Sequence, residues 1–165
     1  MMMLIVDLLL DGLFAALAAM GFGAISDPPL KAYGSIALLA AVGHALRFFL
    51  MTICGVNIAI GSLCASLTIG FGALWLGKRI RTPITVLSIP ALLPMIPGKY
   101  AYNMFFAQIM FLQNLGSTEG QQKYMEMFFF NTMVAVTVIF VLAVGATLPI
   151  LLFPKRTFSL TRKKQ

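Results

Sequence analysis

Long apolar runs alternate with short polar ones along the whole chain. The runs lie near 4–25, 33–53, 58–77, 84–112 and 124–153, separated by SDPPLK, a neutral turn around Gly55–Asn57, KRIRTP and NLGSTEGQQK. About 20 apolar residues carry a helix across a bilayer core, so the pattern predicts five transmembrane helices in one all-α domain, 1–165, closed by a short basic tail, 154–165. The separator between the second and third runs is the weakest, and merging them there leaves four spans. The fourth run is too long for one straight crossing of a core roughly 30 Å thick.

Its surplus falls on IPALLPMIPG at 89–98. Pro90, Pro94 and Pro97 have no backbone N–H and crowd the carbonyl four residues earlier, which leaves Val86, Pro90 and Leu93 without helical donors. At about 3 kcal/mol per interior proline, a continuous helix is a poor reading. The pattern predicts a half-helix near 84–89, an irregular piece over 91–96, and a second helix starting near Pro97, because proline suits a first helical turn. Non-helical backbone at bilayer depth is tolerated only against protein or a wet cavity, so the break is expected to line one. N–H groups from Gly98 onward, together with Lys99, would present positive charge there to a carboxylate or phosphate. Tyr100 and Asn103 follow closely enough to shape the bound group. The alternative is a static kink with Lys99 reaching the interface.

Composition sharpens this picture. The chain is 60% hydrophobic and 10% charged over 165 residues, with a mean hydropathy of +0.95, which is the balance of an integral membrane protein. The first run looks like a signal peptide but has no basic n-region and carries Asp7 and Asp11, so it reads as a retained span. The net charge of +7 comes largely from KRIR at 78–81 and from KR and RKK in the tail. Such clusters mark cytoplasmic loops beside anionic lipid rather than a nucleic-acid surface. Placing them inside puts the N-terminus outside and the C-terminus in the cytoplasm. Cys54 and Cys64 lack the spacing of a metal site or a redox pair and read as small buried side chains; no metal or cofactor is expected. No HExxH, GxSxG or paired intramembrane aspartates point to an enzyme.

Ionisable groups inside spans are costly and need partners or water. GHALRFFL places His44 and Arg47 three residues apart on one helix face. At about 1.5 Å per residue from the outer boundary, Arg47 lies roughly 9 Å and His44 roughly 13 Å deep. Asp11 enters from the same side to a similar depth, so an Asp11–Arg47 or Asp11–His44 pair is geometrically open. His44 is the one histidine, and histidine titrates near neutral pH, which makes it the candidate for proton coupling. Gln108, Asn131 and Thr132 are expected to hydrogen-bond between helices. Small residues at four-residue spacing (Ala15, Ala19, Gly23; Ala37, Ala41, Ala45; Ser62, Ser66, Gly70) form stripes where another backbone approaches closely.

GHALRFFLMT at 43–52, VNIAIGSLCASLTIG at 56–70 and IPALLPMIPGKYAY at 89–102, in this order, resemble the bacterial threonine/serine exporter family, in particular the small subunit of its split, two-protein form. The resemblance runs from about Pro28 to the last span, and His44, Arg47, Pro90, Pro94, Pro97 and Gly98 match its pattern. It implies a bacterial inner-membrane exporter of threonine and serine or of a related dicarboxylate such as succinate, with a larger membrane subunit supplying the other half. Lys99 departs from the pattern, and its fixed charge favours a small carboxylate-bearing substrate. Two five-span halves in one chain must run in opposite orientations, the inverted-repeat arrangement of many secondary transporters. A structural or assembly subunit outside the transport pathway is the competing reading.

Overall fold

The computed structural model describes residues 2–153, and all regular structure among them is helical. The basic tail, with its KR and RKK clusters, lies outside the described residues. Six α-helices follow in order: α1 Met2–Ala24, α2 Leu30–Thr52, α3 Ile58–Ile80, α4 Ile84–Leu92, α5 Gly98–Gln113 and α6 Thr118–Leu152, with a 3₁₀ turn, Leu93–Met95, after α4. Four helices are each long and apolar enough to span, and α4, the turn and α5 qualify together as one interrupted span. The protein is therefore a multi-pass, all-α membrane protein.

Local chemistry explains where each helix begins and ends. The weak separator holds as a turn: Gly55 takes a positive φ of 65°, and the Asn57 side chain accepts from the Ile60 N–H at 3.0 Å, capping α3. Cys54 is exposed in that turn while Cys64 is half-buried on α3, so the expectation of two buried cysteines fails for the first. KRIR is not a loop but the end of α3. Lys78 and Arg79 occupy its last turn, where cations suit the helix dipole, and Arg81 closes it in the left-handed conformation at φ 55°. NLGSTEGQQK likewise contracts. Ser117 Oγ accepts from the Gly120 N–H at 3.2 Å, Glu119 sits in the first turn, and α6 starts well ahead of the expected boundary at 124.

The described residues divide into two compact units, 2–95 with 141–153 and 96–140. In the first, α1 packs on α2 and α4, and α2 also packs on α3 and α4. Small residues carry these contacts, as expected where lipid is as apolar as any side chain. Ala15, Ala19 and Gly23 are buried on α1. On α3, Ser62 and Ser66 are fully buried, and Ser66 Oγ donates to the Leu63 and Val141 carbonyls at 2.9 and 3.2 Å. A Cβ added at Gly70 would meet the Gly145 carbonyl oxygen at 2.7 Å, so the end of α6 lies backbone to backbone on α3. Leu9, Leu13, Phe14 and Leu17 of α1 are exposed, the side such a helix turns to lipid.

The second unit is an α5–α6 hairpin closed by Asn114–Ser117. Asn114 donates to the Met110 carbonyl from Nδ2 at 2.7 Å, and the Tyr100 and Phe130 rings lie 6.4 Å apart across the hairpin. Asn131 and Thr132 donate to Met127 and Phe128, one turn back on their own helix. The expected interhelical bonds do not form there, because a carbonyl at i−4 is the nearest acceptor for a short polar side chain on a helix.

Candidate functional site

The proline segment sets the geometry. Helix α4 continues past Ile89 to Leu92 with Pro90 inside it, longer than the half-helix predicted from the sequence. Pro90 is buried, and a Cβ on Gly23 of α1 would lie 3.8 Å from its ring, so packing offsets the bond lost at Val86. Pro94 falls in the 3₁₀ turn, whose φ its ring already matches. The irregular backbone shrinks to Ile96 and Pro97. Pro97 is the N-cap of α5, with φ −79° and ψ 67°, rather than its first helical residue.

The donors at the start of α5 are partly engaged. The Gly98 N–H donates to the Ile96 carbonyl at 2.8 Å, and those of Tyr100 and Ala101 donate to the Pro97 carbonyl at 3.0 and 3.1 Å. Lys99 is exposed, while Tyr100 and Asn103 are half-buried. All three belong to the second unit. A cavity of about 240 Å³ in that unit is lined by Gln108, Phe111, Met125, Phe128 and Phe129 rather than by the proline segment.

The first unit gathers three ionisable residues around α2. His44 Nδ1 and Asp11 Oδ2 are 3.1 Å apart, joining α2 to α1, with side chains 15% and 38% exposed. The close approach of Gly12 to the Ala41 backbone, where an added Cβ would lie 3.2 Å from the carbonyl oxygen, brings the two helices near enough for this pair. His44 Nε2 is buried without a hydrogen-bond partner among the described residues. With Nδ1–H donated to the carboxylate, Nε2 is left as an unengaged lone pair, the tautomer a proton acceptor requires.

Arg47 reaches the other way along the fold. Its Nη1 donates to the Met95 carbonyl at 2.9 Å, an acceptor a continuous helix would have given to the Lys99 N–H. A hydrogen bond from a charged donor contributes about 1.5–3 kcal/mol. Reading the sequence singled out Asp11, His44 and Arg47 but missed the Met95 carbonyl and Gly43. The carbonyl leaves no side-chain signature. Gly43, next to His44, did have one: a glycine inside a helix costs about 1 kcal/mol against alanine and therefore points to close packing. Ser62 Oγ is a second buried polar atom without a partner among the described residues. No group of three or more metal-ligating side chains occurs among the described residues.

Comparison with known proteins bears on this arrangement. A family model described as threonine/serine exporter, ThrE, matches residues 11–152, taking in Asp11, α2 and the whole interrupted span. The chain is 34% identical over 146 residues to an uncharacterised protein of Haemophilus influenzae, across 88% of this chain and 48% of that relative. It thus spans about half the length of the relative it matches. No solved structure matches.

Proposed function

We propose a function from one premise: the chain belongs to the threonine/serine exporter family. It acts as the small subunit of a two-component secondary exporter of threonine and serine, or of related small carboxylates such as succinate, in the bacterial inner membrane. A larger membrane subunit of the same family supplies the other half, in keeping with a relative about twice as long as the matched stretch. Export is driven by the proton gradient. The observation that carries this reading is the Asp11–His44 pair, whose histidine shares α2 with Arg47, the donor to the Met95 carbonyl of the interrupted span.

In this reading Asp11 fixes the His44 tautomer and His44 Nε2 takes the proton; Arg47, one turn along, is the other charged group on that face of α2. The interrupted span supplies the substrate side, with Pro90, Pro94, Pro97 and Gly98 shaping the backbone and Lys99, Tyr100 and Asn103 meeting the carboxylate-bearing solute. Ionisable residues and broken helices at bilayer depth are the usual components of such pathways.

The test is export of threonine and succinate from cells that carry the larger partner with wild-type chain, Lys99→Ala or His44→Ala. Both variants should reduce export to background while the partner still accumulates. Full export by both would instead favour an assembly subunit that stabilises its partner and lies outside the pathway.

A further inference from the structure

Helix α3 ends in a cluster of positive charge. Lys78, Arg79 and Arg81 are all exposed, and among the described residues the recorded ion pair lies elsewhere, between Asp11 and His44. Part of that charge has a local use, because Lys78 and Arg79 stand in the last turn, where cations offset the helix dipole. A helix end carries only about half an elementary charge, and α4 begins at the same corner with its own positive end. The two dipoles roughly cancel, and three full charges remain.

The corner is tightly built. The Arg81 and Thr82 N–H groups both donate to the Gly77 carbonyl, the second at 3.0 Å, and a Cβ on Gly77 would lie 2.8 Å from the Thr82 carbonyl oxygen. Arg81 takes the left-handed position where glycine is the usual residue, and so adds a charge to the turn. Arg79 stands 5.6 Å over the Trp75 ring, one turn back on the same helix. Indole rings at the end of a spanning helix settle at headgroup level, so Trp75 fixes the depth of the guanidinium. Stacking uses the face of the guanidinium and leaves the N–H donors at its edge for an acceptor.

Phe71, Trp75 and Arg79 follow at four-residue spacing and share one face of α3. The two rings are 42% and 63% exposed. That order, apolar rings and then a cation, matches a phospholipid read from its acyl chain to its phosphate. We propose that Arg79 stacked on Trp75, with Lys78 and Arg81, binds the phosphate of an anionic phospholipid of the phosphatidylglycerol type at the α3–α4 corner, its acyl chain lying over Trp75 and Phe71. This goes beyond the exporter reading and does not rest on it.

Trp75 is the one tryptophan of the chain, so its fluorescence reports on this corner alone. The full chain is reconstituted in phosphatidylcholine vesicles containing a small fraction of either phosphatidylglycerol or phosphatidylcholine brominated on the acyl chains, and quenching gives the relative affinity for the two headgroups. Each basic residue at an anionic surface is worth about fivefold, so phosphatidylglycerol should be favoured roughly tenfold or more. Arg79→Gln should lower that preference about fivefold, and Lys78→Gln, Arg79→Gln and Arg81→Gln together should abolish it. Arg79→Lys keeps the charge but loses the planar fork, and should lower it about threefold. A chain with Lys155, Arg156, Arg162, Lys163 and Lys164 each changed to glutamine should keep the preference.

Equal quenching of the wild-type chain by the two lipids overturns the proposal, as does a preference that survives the triple variant or disappears with the tail charges alone. A wild-type preference in Arg79→Lys leaves only a diffuse field of charge and overturns the built site. Loss of the preference on adding inorganic phosphate, beyond that caused by sodium chloride at equal ionic strength, makes free phosphate the ligand and overturns the lipid assignment.

Discussion

At the scale of single residues, the pair formed by His44 and Asp11 was open in the sequence because both lie at similar depth on entering from one side. The Asp11–Arg47 pairing was equally open, and the packing of α1 on α2 at Gly12 and Ala41 brings Asp11 to His44. The Met95 carbonyl as an acceptor for Arg47 could not be read at all, since a helical carbonyl is released to a side chain where the helix around it is interrupted. Asp11→Asn keeps the shape of the pair but removes the carboxylate that faces His44 Nδ1. Export driven by an imposed proton gradient should then fall while the protein still accumulates, and solute efflux from vesicles checks this. Unchanged efflux contradicts the proton role.

Among elements, the positions of the spans were legible from apolar periodicity and their ends were not. Ends depend on capping: Asn57 and Ser117 start helices by accepting backbone N–H bonds, and Arg81 stops one by turning left-handed. Asn57→Ala should cost about 1 kcal/mol, a modest fall in the detergent melting temperature. The Ser62, Ser66, Gly70 stripe was readable as a close-approach face, but its partner was not. That partner is the end of α6, where a Cβ on Gly145 would fall 1.9 Å from Ser66 Oγ and 3.0 Å from the Leu67 backbone nitrogen. Backbone cannot give way as a flexible side chain can, so Gly145→Ala should destabilise by about 3 kcal/mol. Gly34→Ala, with nothing within 4 Å of the added carbon, should not destabilise. Equal melting temperatures for the two variants contradict this packing.

At the scale of the whole molecule, opposed neighbouring helices and the basic end of α3 give an orientation that can be checked directly. With Lys78, Arg79 and Arg81 inside, the α2–α3 turn lies outside, and Cys54 is exposed there. A membrane-impermeant maleimide applied to intact cells should label native Cys54; labelling only after permeabilisation reverses the topology. The proposed larger partner is in keeping with the inverted-repeat logic and with a chain that matches about half of a relative. The measurement that bears most directly on the central claim is release of threonine and succinate from proteoliposomes under a proton gradient, with this chain alone, the larger partner alone, or both. Release only when both are present is the predicted result, and equal release by the partner alone contradicts it.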